Sequence, residues 1–349
     1  MAPVIIALKD QSWVDVKVLA TAQHRQMLDQ VFSIFDIKPD YDLDIMQDGQ
    51  QLTELTARLL LAIDNMLDNA SPDIVLAQGD TTTVMTTSLA CFYRHIPFCH
   101  VEAGLRTGDI WNPFPEEMNR VVAGRMTAMH FAPTKSACEN LLSEGIPDSA
   151  IHITGNTVID ALLETAKYDY DIGIDLDASK QLILLTSHRR ENFGEPMRES
   201  FTAIREFVDA NEGTELLYPV HPNPNVLQPA REILGDHPRI HLVEPLGYTE
   251  FVQVMKQAYF IISDSGGVQE EAPALGKPVL VLREETERPE AVEAGVVRLV
   301  GTDKDVIFSE ANKLLHDKEY YKSMAQGISP YGDGKAAERI VSLIHDQYV

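Results

Sequence analysis

Short runs of β-branched and apolar residues alternate with amphipathic stretches almost from one end of the chain to the other. The runs predict strands over 16–22, 73–78, 97–101, 129–133 and 151–155. Past an Asp-rich stretch at 168–180, they predict a second series over 181–187, 215–220, 240–244, 260–263, 278–282 and 296–300. Between them, the amphipathic pattern predicts helices over 52–67, 196–209, 249–258 and 305–315. Strands alternating with helices of this length predict parallel sheets covered on both faces, an α/β fold. The break near 160–180 predicts two units of comparable length.

In such sheets ligands bind outside the carboxyl ends of the strands, and the polar clusters of this chain fall there. They are Gln78-Gly-Asp-Thr-Thr-Thr83, His100-Val-Glu-Ala-Gly104, Ser187-His-Arg-Arg-Glu-Asn192, His221-Pro-Asn-Pro-Asn225 and Ser263-Asp-Ser-Gly-Gly-Val-Gln-Glu-Glu271. Strand-end polarity in both halves predicts two facing crevices with a ligand between them.

The composition narrows the class. At 349 residues, 44% hydrophobic and 23% charged, the chain has the content of a globular protein of two ordinary domains. No apolar run approaches the ~20 residues of a membrane helix, and the first residues lack the basic region and cleavage site of a signal peptide. Cys91, Cys99 and Cys138 form no C-x-x-C pair and read as reduced core thiols, so a cytoplasmic protein is expected. A formal charge of −24 argues against nucleic acid, yet leaves room for a small phosphorylated ligand in a locally basic pocket. No membrane partner is expected either.

Ser263-Asp-Ser-Gly-Gly267 follows a buried strand and precedes a helix. Paired glycines let the backbone approach a ligand, and the helix start offers free N–H groups: a diphosphate cradle without a lysine. Gln269, Glu270 and Glu271 flank it, and a carboxylate one turn in, from Glu270 or Glu271, can reach ribose hydroxyls. The cluster at 187–192 can neutralise a diphosphate through its arginines, or stand as a solvated charge cluster paired internally to Glu191 and Glu195. Asp80, Glu102 and Glu116 lie near strand or loop ends of the first half. Asp80 also suits an N-cap for a helix beginning at Thr81, and Glu116 and Glu117 suit a helix's first turn. Together, the three carboxylates read as acid–base machinery for a sugar. Asp40-Tyr-Asp-Leu-Asp44 has the spacing of a metal site, but alternation on an edge strand explains it. The histidines show no zinc spacing, so no metal is expected. Gly332-Asp-Gly-Lys335 lacks Walker spacing and is expected to start the last helix.

Taken in order, these clusters together with Arg106-Thr107, Pro115-Glu-Glu-Met-Asn-Arg120, Thr154-Gly-Asn-Thr157 and Tyr331-Gly-Asp-Gly-Lys335 strongly resemble the non-hydrolysing UDP-N-acetylglucosamine 2-epimerases, over essentially the whole chain. The resemblance implies two facing Rossmann-like domains in a glycosyltransferase-B-like fold. Residues 1–165 would form the domain of the acid–base carboxylates, with 334–349 packing back on it, and 166–333 the UDP-binding domain. It implies a homodimer that interconverts UDP-N-acetylglucosamine and UDP-N-acetylmannosamine for surface polysaccharides. UDP would leave first, acidifying the carbon-2 proton; a carboxylate removes that proton, giving 2-acetamidoglucal, and UDP adds back. No cofactor is needed.

By motif, Asp80, Glu102 and Glu116 are the acid–base candidates and His188 a catalytic contact to the diphosphate. Arg190, Ser265, Gly266, Gly267, Glu271 and Arg288 would hold the substrate. A second UDP-N-acetylglucosamine would activate through Gln23, Gln26, Arg190 and His221, although Gly49 stands where some relatives carry an arginine for that role. The family begins with a strand and a Gly-Thr-Arg-Pro-Glu loop before the helix that the first residues resemble, so the first strand of the N-terminal domain is expected to be absent. A glycosyltransferase on the same fold, an inactive UDP-sugar-binding protein and a 2-epimerase of a diacetamido uronic acid nucleotide are the alternatives. The wording Arg106-Thr-Gly-Asp109 and His188-Arg-Arg-Glu191 is closer to the simpler substrate.

Overall fold

A computed structural model describes residues 1–21, 25–46, 49–286, 288–327 and 329–349, with the backbone alone for residues 25–27. The chain divides into two compact units, Met1–Ala161 with Tyr331–Val349, and Leu162–Pro330. The division runs through the helix Thr157–Thr165 rather than after it.

The strands of the first unit are β1 (Leu19–Ala20), β2 (Tyr41–Asp42), β3 (Val75–Gln78), β4 (Phe98–Val101), β5 (Met129–Ala132) and β6 (Ile151–Ile153). They form two separate parallel sheets, β1-β2 and β3-β4-β5-β6. The strand expected over 16–22 is two residues long, because a ladder extends only as far as its partner and β2 is equally short. Asp40 is spent on this pairing: its Oδ2 accepts the Val18 N–H at 2.8 Å.

The helix Leu52–Ala70 shows why one face of the four-stranded sheet is covered. Leu55, Leu59, Ile63 and Leu67 recur every fourth residue, so they form one stripe, and all are buried against Val84, Cys91 and Phe98. Each side chain so removed from water contributes roughly 1.5–3 kcal/mol. A left-handed Ser71 ends the helix. On the other face, Ile340, Val341 and Ile344 of the last helix, Ala336–Tyr348, pack with Val4 and Leu8 of the first helix, Ala2–Lys9, over Val101 and Phe131. That last helix is capped from a distance. Its Ala336 and Ala337 N–H groups donate to the Asp160 carboxylate at 3.2 and 2.8 Å.

The second unit carries β7 (Gln181–Thr186), β8 (Thr214–Pro219), β9 (Ile240–Val243), β10 (Phe260–Ser263), β11 (Val279–Val281) and β12 (Val297–Leu299). They make one parallel sheet in the order β12-β11-β10-β7-β8-β9. This is the doubly wound arrangement, in which strand order reverses between β7 and β10. Phe201, Phe207 and Val208 of the helix Glu195–Ala210 and Ile307, Ala311 and Leu314 of the helix Lys304–His316 cover the sheet in one core with Leu216, Phe260 and Ile262. Among the described residues, no helix is long and apolar enough to cross a membrane.

Candidate active site

In the first unit the polar clusters lie where β3 and β4 end. Gly79 turns the chain with φ +84°, a conformation that favours glycine, and Asp80 comes next. Glu102, directly after β4, holds φ +65°, which is uncommon for a residue with a side chain and costs energy. Gln78 Nε2 donates to Glu102 Oε2 at 3.2 Å, so the two strand ends are tied to each other. His100 Nε2 lies 2.7 Å from the Gly79 carbonyl oxygen. A carbonyl only accepts, so the imidazole proton sits on Nε2.

Asp80 is not the helix cap: that position belongs to Thr81, and the helix is Thr82–Tyr93. Its carboxylate instead receives Arg120, with Nη2 2.7 Å from Oδ2. Asn119 Nδ2 donates to the Asp80 carbonyl at 2.9 Å. Both come from the helix Glu116–Met126, whose first residue is the third candidate carboxylate. Glu116 is half-buried, while its neighbour Glu117 is buried and accepts the Thr107 N–H at 3.0 Å. Gln78, Glu117, Asn119 and Arg120 stand in the motifs, but their residue types alone do not distinguish a contact to substrate from a support behind one. The Glu-x-x-Arg spacing of Glu117 and Arg120, which puts them on one helix face, is the signal that points to the support.

In the second unit a cavity of about 270 Å³ opens at the reversal of strand order. Thr186, Ser187 and His188 line it from the end of β7, His221 from beyond β8, and Ser265, Gly267 and Glu271 from beyond β10. Ser265 is the N-cap of the helix Gly266–Ala274, and its side chain makes no capping bond. Among the described residues, a Cβ added to Gly267 would meet only Ser265 Oγ, at 3.9 Å. The protein itself therefore leaves that space open, as a backbone cradle for an anion at a helix start requires.

Burial, followed by the neighbouring Glu270, pushes the Glu271 carboxyl up to about 8. Partial desolvation holds the His188 imidazole, whose side chain remains 41% exposed, below its ordinary range, against an upward pull from Asp264. The His188 and His221 rings stack with centroids 5.8 Å apart. Arg190 is exposed and is not among the residues lining the cavity. Arg288 pairs with Glu270, and its N–H donates to Thr286 Oγ1 at 3.1 Å, which ties the segment before Pro289 to the cradle helix. The internal pairing expected for Glu191 is replaced by Arg283, at 3.4 Å. Gln23 lies outside the described residues, as does the side chain of Gln26. Among the described residues, no group of three His, Cys, Asp or Glu side chains could hold a metal ion.

The sequence profile described as UDP-N-acetylglucosamine 2-epimerase matches residues 6–345. The UDP-N-acetylglucosamine 2-epimerase of Salmonella typhimurium is 50% identical over 359 aligned positions, covering 99% of this chain and 94% of its own length. That of Bacillus subtilis is 51% identical over 351 positions, covering 100% of this chain and 92% of its own. The crystal structure of the Neisseria meningitidis UDP-GlcNAc 2-epimerase bound to UDP-GlcNAc is similar with a TM-score of 0.88 at 44% identity, over 99% of this chain and 96% of the other.

Proposed function

The chain belongs to the UDP-N-acetylglucosamine 2-epimerase family and is an enzyme of that type; on that basis we propose that it interconverts UDP-N-acetylglucosamine and UDP-N-acetylmannosamine in the cytoplasm by eliminating UDP and adding it back. The observation that carries this reading is the cavity at the reversal of the second sheet, where His188, Ser265, Gly267 and Glu271 converge. The 2-epimerase of Neisseria meningitidis, similar over nearly its whole length, has been crystallised with UDP-GlcNAc.

In this scheme the helix start at Ser265, Gly266 and Gly267 receives the diphosphate with His188 beside it, and Arg190, outside the cavity lining, would have to turn inward to add its charge. Glu271 takes the ribose, and Arg288 holds the nucleotide side of the site. The bond between carbon 1 and the diphosphate oxygen breaks first, and UDP leaves with the electron pair. The oxocarbenium-like centre acidifies the carbon-2 proton, which passes to a carboxylate, leaving 2-acetamidoglucal and UDP. Return of a proton to the opposite face of carbon 2, with UDP re-forming its bond to carbon 1, completes epimerisation. Two faces need two proton-handling groups, drawn from Asp80, Glu102 and Glu116.

A homodimer belongs to the same reading. Support comes from the helices Leu52–Ala70 and Thr82–Tyr93, which expose Leu61, Phe92 and Tyr93. Activation by a second UDP-N-acetylglucosamine through Gln23, Gln26, Arg190 and His221 belongs to it too. The test of the whole is a proton NMR time course with UDP-N-acetylglucosamine in deuterated water. Deuterium should enter carbon 2 as the mannosamine epimer accumulates. Epimerisation with the original hydrogen retained would overturn the proton-exchange mechanism, and unchanged substrate would overturn the activity.

A further inference from the structure

Asp264, the first residue after β10, has no exposed surface. The groups around its carboxylate belong to the loop that leaves β7, across the reversal of strand order. Oδ2 accepts from Ser187 Oγ at 2.9 Å, from the His188 N–H at 2.9 Å and from the Arg189 N–H at 3.0 Å, with Asn192 Nδ2 at 3.4 Å. Oδ1 lies 3.1 Å from the His188 backbone nitrogen and 3.4 Å from its Nδ1. A carboxylate taken out of water is tolerated only when donors surround it. Here those donors come from one short loop, and that loop supplies the histidine lining the cavity.

We propose that Asp264 is a positioning residue of the nucleotide site: it gathers residues 187–189 and engages the Nδ1 side of His188, leaving Nε2 as the ring nitrogen offered to the diphosphate. The inference rests on reading the cavity as the UDP site. A neutral imidazole carries one proton, and a carboxylate beside Nδ1 draws it there. Nε2 is then an acceptor, which a phosphate oxygen repels. Binding of the diphosphate therefore requires the imidazolium, whose Nε2–H donates, and the Asp264 charge favours that form.

The groups that face the ring are Asp264 from beyond β10, Arg189 and Glu191 from its own loop, and His221 from beyond β8. Glu271 of the cradle helix lines the same cavity. Arg189 and His221 oppose the imidazolium, whereas Asp264 and Glu191 favour it. Of the two carboxylates, Glu191 is drawn to Arg283. The affinity for UDP-N-acetylglucosamine should therefore fall as pH rises through the His188 titration, and Asp264 should set where that fall occurs.

Nitrogen-15 NMR of the histidines in the unliganded protein, together with UDP-N-acetylglucosamine binding measured across pH, tests this. In the unsubstituted protein, neutral His188 should be the Nδ1–H tautomer. Asp264→Asn should move the His188 titration to lower pH, carry the falling limb of the binding curve with it, and weaken binding at pH 7 by about tenfold or more, the scale of one charge-assisted hydrogen bond. His188→Gln should abolish the limb. If His188→Gln alters binding but Asp264→Asn leaves the His188 titration and the limb in place, Asp264 is only a packing residue and the proposal falls, with the nucleotide site intact. If His188→Gln binds as tightly as the parent with the same limb, the assignment of His188 to the diphosphate falls and takes this inference with it. Should Asp264→Asn not fold, the tautomer in the unsubstituted protein decides: Nδ1–H supports the proposal and Nε2–H overturns it.

Discussion

Arg120 holds Asp80: Nη2 of the guanidinium lies 2.7 Å from Oδ2 of the carboxylate, and Nε of the same side chain is 3.5 Å from the buried Glu117. One cation thus serves two carboxylates, one of them a candidate for proton transfer. Arg120→Ala would leave Glu117 buried without a cation, held by the Thr107 and Gly108 N–H groups, at a cost of about 3 kcal/mol, the size seen when one member of a buried ion pair is removed. Chemical denaturation should register that loss. Turnover should fall by roughly tenfold or more as Asp80 loses its orientation, since misplacement of a reacting group is costly. An Arg120→Ala enzyme with parental stability and rate would remove the pair from any role in the site.

Substitutions of the carboxylates and of the nucleotide contacts should differ in kind. Glu102→Gln and Glu116→Gln each should lower kcat by ~10²-fold or more, with substrate affinity little changed, the usual reach of general acid–base catalysis. Arg288→Ala should chiefly raise KM. It should also lower the melting temperature, because the ion pair between Arg288 and the buried Glu270 is lost. Steady-state kinetics on both classes decide this, and near-normal kcat in both glutamine variants would exclude these glutamates from proton transfer.

Glu271 makes the second unit sensitive to alkali. Its carboxyl titrates near 8 in the folded chain and in the ordinary carboxylate range when unfolded, so between those values the native state holds the extra proton. Stability contributed by the neutral form is present at low pH and lost as pH rises toward 8, with a slope of at most about 1.4 kcal/mol per pH unit. Glu271→Gln should flatten this decline in urea titrations from pH 5 to 8 while weakening nucleotide binding. An unchanged slope would mean that Glu271 is ionised in the free protein.

The first unit should be sensitive to acid. His100 and His130 face each other in register on β4 and β5, and both are buried. Burial lowers each to about 4. The unfolded chain takes up protons at these sites from about 6.5 downward and the folded chain does not. Stability is therefore complete above that range and falls as pH drops toward 4. Among the described residues, neither ring nitrogen of His130 has a hydrogen-bond partner, so His130→Leu forfeits no such bond. It should weaken the acid limb and raise stability at pH 5, as read by thermal melting. A variant that is less stable than the parent at pH 5 would contradict this.

Legibility in the sequence varies by level of structure. Period and composition determined the alternation of strands and helices, because a half-buried helix or a buried parallel strand imposes its own spacing on apolar residues. The helix over 52–67 and the strand over 260–263 appear as Leu52–Ala70 and Phe260–Ser263. The motifs also located the candidate chemistry at strand ends, since that is where a parallel sheet leaves room for polar groups. Strand limits were less legible. A run such as 16–22 looks long enough by propensity, yet among the described residues only Leu19–Ala20 pairs as a strand, and pairing is a property of two segments.

Only the tertiary structure decided which groups support which. Ser187 and Asp264 are 77 residues apart and meet because β10 lies beside β7, an order that local spacing does not encode. Likewise Asp80 reads as a helix cap from its neighbours, whereas in the fold Arg120 reaches it from another helix. Glu102 reads as the end of a strand, while its left-handed backbone is set by the turn that leaves β4. Local sequence dictates local conformation through side-chain shape and period. The partners of a buried charge are dictated by whichever distant segments the packed core brings within reach, and in this protein those partners organise the candidate site.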